Sequence, residues 1–127
     1  MNKNINQFEL ISILIPCRNE EKFIKNVITD LLNQDYPKHQ LEILFIDGMS
    51  NDNTREIITE YVQQYPFIKL LDNPCKTVPY AMNLAIKEAS GTYIMRMDAH
   101  ASYPSNYVSQ LFYWLNYWFF QSSFFII

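Results

Sequence analysis

The stretch GTYIMRMDAHA, residues 91–101, decides the fold class because a short apolar run leads directly into a carboxylate and an imidazole. The β-prone residues from Thr92 to Met97 follow a glycine, which is the pattern of a buried strand. Asp98 and His100 then stand two positions apart, so on an extended chain both side chains point to the same side. Such a pair suits a divalent metal, and the imidazole favours Mn²⁺ over Mg²⁺. Taken alone, the pattern is more simply explained by an Asp98 that caps the next turn and a solvated His100.

Length and composition restrict the chain to one domain. The 127 residues are 49% hydrophobic, which is enough for a sizeable core. A net charge of −3 without a basic run argues against a nucleic-acid partner. The sequence has only two glycines, so it contains neither the Rossmann glycine fingerprint nor a Walker P-loop. Any phosphate must therefore be held by other means.

The cysteines and the N-terminal segment predict a cytoplasmic protein. Cys17 and Cys75 have neither the spacing of metal ligands nor the density of a disulfide scaffold. Residues 1–16 carry one lysine, and their apolar run is broken by Pro16 too early for a secretory signal.

Four strand-like runs alternate with amphipathic helical patterns. Strands are expected at 10–15, 41–46, 67–71 and 92–97, the first ending at Pro16. Asn19 is expected to cap the first helix, and a last helix is expected from about Tyr103. The third helix is expected to bury a face formed by Val78, Ala81, Met82, Ala85, Ile86 and Ala89. The alternation predicts an α/β fold, with a mostly parallel sheet, right-handed crossovers and helices on both faces.

Polar side chains follow three of the predicted strands. Arg18 and Asn19 come after the first, Asp47 after the second, and Asp98 and His100 after the fourth. Ligands bind at the carboxyl ends of the strands in parallel sheets, so this pattern predicts a ligand site. Loops are also polar simply because they are wet, which is the competing explanation.

The C-terminal segment LFYWLNYWFFQSSFFII, residues 111–127, is apolar on all sides. It is shorter than the roughly 20 mostly apolar residues of a spanning helix. We expect either a core helix that lacks the segment meant to cover it, or a C-terminus altered by truncation or frame change. Both would leave an exposed apolar surface that favours association. The chain is accordingly divided into a binding part, 1–110, and an apolar aromatic tail, 111–127.

Three stretches together resemble the donor-binding half of a family 2 glycosyltransferase of the GT-A fold. SILIPCRNEE, residues 12–21, is similar to the family's first strand and turn, and ILFIDGMSNDNT, residues 43–54, to its second strand and acidic turn. Residues 73–101 most resemble the succinoglycan-biosynthesis-type subgroup, in which Asp-x-His stands where most members have Asp-x-Asp. The resemblance covers Ser12–Ala101 and implies a Rossmann-like nucleotide-binding half.

The resemblance implies an inverting transferase of hexosyltransferase type. The expected donor is a nucleoside-diphosphate sugar, first a UDP-sugar, and the expected acceptor is a glycan or lipid-linked glycan, with possible membrane association at the cytoplasmic face. Asp98 and His100 would hold the Mn²⁺ or Mg²⁺ that neutralises the diphosphate. The implied nucleotide-binding residues are Pro16, Arg18, Asn19, Glu20, Asp47, Asn83 and Asp98, with Asp47 recognising the base. For Arg18, Lys76 and Asn83 a solvated surface position fits as well.

Two departures from the family pattern matter. Gly48 and Met49 stand where many members have a second acid and a glycine, which leaves the base contact to Asp47 alone. An inverting enzyme also needs a carboxylate as general base, which in the family comes from the later half of the domain. None of the 26 residues after Ala101 is acidic. We therefore expect an incomplete chain that lacks its catalytic base.

Two other function classes stay open at this point. A receiver domain has a similar length and alternation, with Asp47 as phosphoacceptor and Glu20 and Glu21 as Mg²⁺ ligands. Those acids are better explained as the start of a helix, and a well-placed late lysine is missing. The remaining alternative is an inactive remnant that exposes its aromatic tail.

Overall fold

The computed structural model describes the backbone of residues 8–121 and the side chains of residues 8–117. Four parallel strands form one sheet with the order β3-β2-β1-β4. The strands are β1 (Ile11–Cys17), β2 (Leu41–Asp47), β3 (Ile68–Asp72) and β4 (Tyr93–Arg96). The helices are α1 (Ile24–Leu32), α2 (Thr54–Gln64), α3 (Val78–Glu88) and α4 (Tyr107–Gln121), with a 3₁₀ turn at Lys38–Gln40. The predicted parallel α/β fold is confirmed.

The order of the strands reverses once. The chain moves from β1 to β2 and β3 toward one edge of the sheet, and then α3 carries it back across to β4 on the other side of β1. Such a reversal leaves a crevice at the carboxyl ends of the two strands that flank it, which are β1 and β4.

Helices cover both faces of the sheet, as predicted. Strand side chains alternate between the faces, so Ile13 and Ile43 point into one core while Leu14 and Leu44 point into the other. The larger core contains buried residues of α1, α2 and α4. The smaller core is closed by α3 alone, through Ala81 and Ala85.

The prediction that Pro16 ends the first strand is wrong, because β1 continues to Cys17 and Pro16 pairs with Ile46. Pairing of β1 with β4 stops at Leu14, whose carbonyl accepts from the Met97 N–H at 3.0 Å. Alternate residues present their backbone groups to the same neighbour, so Pro16 turns its nitrogen toward the β4 side, beyond the end of that ladder. The absence of an N–H on Pro16 therefore removes no hydrogen bond between strands.

The predicted buried face of α3 is only partly correct. Ala81 and Ala85 are buried, but Val78 and Ile86 are 42% and 52% exposed. Since α3 is the one helix on its face within the described residues, no neighbouring helix covers the flanks of its apolar stripe.

The predicted boundary between 110 and 111 falls inside α4. Val108, Phe112 and Leu115 lie on the same face of α4 and are buried in the larger core. The helix therefore belongs to the fold at least as far as Leu115, and residues 122–127 of the predicted tail lie outside the described part. Within residues 8–121 we find no helix of the length and hydropathy needed to cross a membrane.

Candidate functional site

An open cleft of about 230 Å³ lies at the carboxyl ends of the strands, beside the first turn of α3. Three loops line it, namely the loop after β1, the loop between β3 and α3, and the loop after β4, and the end of β2 adds Ile46 and Gly48. This is the crevice created by the reversal in strand order. Six residues proposed from the sequence line the cleft, namely Pro16, Arg18, Glu20, Lys76, Asp98 and His100.

Burial alternates along the residues that follow β4, and Asp98 and His100 are exposed. Met97 and Ala99 are 2% and 3% exposed and point into the core, so the side chains between and after them point outward. The Asp98 side chain is 57% exposed, and Arg96 approaches it at 4.0 Å. Within residues 8–117 the Asp98 carboxylate accepts no hydrogen bond, so its oxygens are available to a ligand.

His100 contacts Glu20 across the mouth of the cleft. The imidazole Nδ1 lies 3.1 Å from Glu20 Oε1. The His100 side chain is 62% exposed, whereas that of Glu20 is only 20% exposed. The contact occupies Nδ1, and within residues 8–117 Nε2 has no hydrogen-bond partner.

Three cations bring positive charge to the cleft: Arg18, Lys76 and Arg96. Gly48 allows two of their segments to approach each other, since a Cβ there would lie 3.3 Å from the Lys76 carbonyl oxygen and 3.4 Å from the Arg18 side chain. Lys76 has a φ of 65°, a left-handed conformation that is costly for a residue with a side chain. Strain of this kind concentrates at binding sites. The arrangement suits an anionic ligand.

Asp47, the predicted base contact, is fully buried and is not among the residues that line the cleft. Its Oδ2 accepts hydrogen bonds from Arg55 Nη1 and from the Ser50 N–H, both at 2.9 Å. Arg55 also bonds to Asp72 at 2.6 Å and so links the ends of β2 and β3. The oxygens of Asp47 are thus engaged by groups of the chain itself. The predicted contact of Asp47 with the base stays a prediction.

Asn19 and Asn83 also differ from expectation. Asn19 does not cap α1, which begins at Ile24; it has a φ of 54° and ties two loops together. Its N–H donates to Ser50 Oγ and its Oδ1 accepts from the Asn51 N–H, both at 2.8 Å. Asn83 is exposed on α3 and is not among the residues that line the cleft. Neither asparagine enters the function proposed below.

A protein-family model described as Glycosyl transferase family 2 matches residues 12–117. The chain belongs to glycosyltransferase family 2. The predicted resemblance is thereby confirmed and the receiver-domain alternative is wrong. The burial of Asp47 agrees with this, since a phosphoacceptor must be reachable.

Curated relatives of this family 2 chain act in glycan assembly. It is 44% identical over 96 residues to a dolichyl N-acetyl-α-D-glucosaminyl phosphate 3-β-D-2,3-diacetamido-2,3-dideoxy-β-D-glucuronosyltransferase of Methanococcus voltae, covering 74% of this chain and 30% of the relative. It is 37% identical over 101 residues to the succinoglycan biosynthesis protein ExoA of Rhizobium meliloti, covering 78% of this chain and 30% of the relative. The chain thus spans less than a third of either protein.

Solved structures show the same fold. A mannosyltransferase of Pyrobaculum calidifontis, PcManGT, in complex with GDP-Man and Mn²⁺, superposes with a TM-score of 0.81 at 23% identity, over 91% of this chain and 34% of that one. Staphylococcus aureus TarS in complex with UDP gives a TM-score of 0.74 at 23% identity, over 85% of this chain and 32% of that one. The sheet and helices of this family 2 chain therefore correspond to part of a GT-A fold.

The residues present fit a divalent metal, although they supply only part of its ligands. Within the described part of the chain no three His, Cys, Asp or Glu side chains are grouped to hold an ion. Asp98 and His100 offer one carboxylate and one imidazole, a donor set that suits Mn²⁺. Phosphate oxygens and water would have to complete the coordination.

Sequence reasoning missed Asn73, Thr77 and Arg96, which all line the cleft. Asn73 Nδ2 donates to the Thr77 carbonyl at 2.8 Å, and Asn73 is 1% exposed. A signal existed, because the loop after the third predicted strand must reach the same edge of the sheet as the other three.

Cys17 also lines the cleft, but it is chemically inert. Burial, and then the neighbouring Asp47 carboxylate, raise the pKa of its thiol far above the ordinary value of 9.0. The group is therefore a neutral thiol at physiological pH.

Proposed function

We propose that this chain forms the part of a family 2 glycosyltransferase that binds a nucleoside-diphosphate sugar. One observation carries the proposal: a carboxylate and an imidazole with free donor atoms, Asp98 and His100, share a cleft with three cations at the point where the strand order reverses. A diphosphate bridged by a metal needs this combination of groups.

In this proposal Asp98 and His100 hold Mn²⁺ or Mg²⁺ against the diphosphate. When bound, the metal neutralises the charge that develops on the diphosphate leaving group. Arg18 and Lys76 contribute positive charge from the other two loops. The first turn of α3, which lines the same cleft, adds the positive end of a helix dipole.

We propose a UDP-sugar as donor, because TarS has been captured with UDP and with UDP-GlcNAc. A GDP-sugar is the competing donor, because PcManGT has been captured with GDP-Man. The acceptor we propose is a growing polysaccharide or a lipid-linked glycan, reached from the cytoplasmic side of the membrane. Both curated relatives described above carry names from such pathways.

We assign no catalytic base within residues 8–117. Two carboxylates line the cleft, and both are committed: Glu20 to the imidazole of His100, and Asp98 to the metal. The base of an inverting transfer must stand near the acceptor hydroxyl, and it is to be sought among groups outside the described part of the chain.

Titration calorimetry tests the proposal directly. We expect the purified chain to bind UDP in the presence of Mn²⁺, and to lose that binding when EDTA is added or when Asp98→Ala and His100→Ala are combined. A matched control combines Asp35→Ala with His39→Ala, which removes the same residue types from exposed positions away from the cleft. Equal UDP binding by wild type and the Asp98/His100 variant would refute the metal assignment.

A further inference from the structure

Glu20 and His100 are 80 residues apart in sequence and meet at the cleft through a single contact, Oε1 to Nδ1, at 3.1 Å. Glu20 follows β1 and His100 follows β4, so the contact joins the two strands that flank the crevice. The position of Glu20 beside a candidate metal ligand has a chemical consequence for that ligand.

The backbone of Glu20 is fixed by contacts that do not involve His100. Its N–H donates to Thr54 Oγ1 at 2.8 Å, at the start of α2. Its carbonyl oxygen accepts from the N–H groups of Phe23 and Ile24 at 3.0 and 2.8 Å, where α1 begins. His100, in contrast, is mostly exposed. Glu20 is therefore the fixed partner and His100 the one that is oriented.

A neutral imidazole carries one hydrogen, and the nitrogen that keeps it cannot bind a metal. An ionised carboxylate can only accept a hydrogen bond, so a neutral His100 beside Glu20 must carry its hydrogen on Nδ1. The lone pair then lies on Nε2, the nitrogen that does not contact Glu20. Carboxylates that receive the second N–H of a metal-binding histidine fix its ring and raise its basicity.

We propose that Glu20 is a positioning residue that selects the Nδ1–H tautomer of His100 and so presents Nε2 to the metal. The inference rests on the proposed function for its metal, but the tautomer itself is a property of the metal-free chain. It gives Glu20 a role distinct from that of a nucleotide contact, which is what the resemblance to the family implied.

The chain is well suited to a spectroscopic test because it has only two histidines, His39 and His100. Two-bond ¹H–¹⁵N correlation spectra at mildly alkaline pH distinguish the two tautomers of each ring. We expect His100 in the Nδ1–H form in wild type and a shift toward the Nε2–H form in Glu20→Ala. His39 is exposed and serves as an internal control whose signals do not change.

Metal affinity provides the second readout. We expect Glu20→Ala to weaken Mn²⁺ binding in the presence of UDP by about 10- to 100-fold, the usual effect of removing such a partner. Glu20→Gln should lose less, because its amide oxygen can still accept the Nδ1–H. Glu21→Ala is the matched control: it removes the same charge from the next residue, whose carboxylate bonds the Asn53 N–H at 3.1 Å instead.

Two results would overturn the proposal: a wild-type His100 that is mainly in the Nε2–H form, or a Glu20→Ala variant that keeps wild-type Mn²⁺ affinity. A misfolded variant is recognised by changed His39 signals, and Glu20→Gln then decides the outcome. Failure of the proposed function looks different. UDP binding would be indifferent to Mn²⁺, while the tautomer shift in Glu20→Ala would still be seen in the metal-free protein.

Discussion

Replacing Gly91 by alanine should destabilise the fold severely, although the added group is a single methyl. A Cβ at this position would lie 2.5 Å from the Ser12 nitrogen and 2.8 Å from the Tyr93 carbonyl oxygen. Both are backbone atoms of paired strands, so neither can yield without moving β1 against β4. Overpacking of this kind costs about 1–3 kcal/mol. The shift also breaks the 2.8 Å bond from the Gly91 N–H to Ser12 Oγ, which adds about 0.5–1.5 kcal/mol.

We therefore expect Gly91→Ala to lower the free energy of unfolding by about 2–4 kcal/mol, measured by urea denaturation followed by circular dichroism. Gly48→Ala is the matched control, because its Cβ would meet nothing closer than 3.3 Å and one neighbour is a flexible arginine side chain. That variant should stay within about 1 kcal/mol of wild type. The reasoning is refuted if the two alanine variants are equally stable, or if Gly91→Ala unfolds at the wild-type urea concentration.

Two further predictions concern buried carboxylates. Arg55→Ala should lower the free energy of unfolding by about 3–5 kcal/mol, because it leaves the fully buried Asp47 carboxylate without its cation. Asp72→Asn, at the exposed end of the same ion-pair bridge, should lower it by less than about 1 kcal/mol in the same denaturation assay. Burial opposes ionisation of Glu42, but the hydrogen bonds that it receives prevail and lower its pKa below 4.5; the donors are Ser12, Ser90 and Lys69. The ionised Glu42 carboxylate therefore stabilises the fold fully above pH 4.5, and this stabilisation is lost as the pH falls through the folded-state pKa. The free energy of unfolding of Glu42→Gln should consequently fall less than that of wild type between about pH 7 and about pH 3.5.

The loop after β4 could be predicted from sequence because its geometry is local. Period-two alternation of apolar and polar residues continues past the strand, so Met97 and Ala99 are buried while Asp98 and His100 are exposed. No other part of the chain is needed to decide which of these side chains faces the solvent.

Asp47 shows where local reasoning fails. By pattern it matches Asp98, since each is an acid at the end of an apolar strand. The difference lies in the strand order, because β2 is flanked by β1 and β3 whereas β4 is the edge of the sheet. Loops from both neighbours cover the end of a central strand, and Arg55 supplies the cation that makes burial of the acid tolerable. Strand order depends on pairing between distant segments, which no local pattern encodes.

In α4 the buried face could not be predicted from the sequence for a different reason. Its residues are apolar all round, so helical periodicity selects no face. The structure buries Phe112 and Leu115, while Tyr113, Trp114 and Tyr117 are between 49% and 57% exposed. Which face is buried is set by the area that the sheet leaves open, not by the sequence of the helix itself.

The polar residues 50–54, which lead into α2, also hold the loop after β1. Ser50 Oγ, Thr54 Oγ1 and Asp52 Oδ2 accept the N–H groups of three consecutive residues of the β1 loop, at 2.8, 2.8 and 3.2 Å; the donors are Asn19, Glu20 and Glu21. A cluster that sequence rules assign to the start of α2 thus holds the loop that carries Glu20. Because Glu20 in turn contacts His100, the orientation of a proposed metal ligand depends on residues that never touch the cleft. The sequence shows each of these residues, but only the folded chain shows that hydrogen bonds connect them.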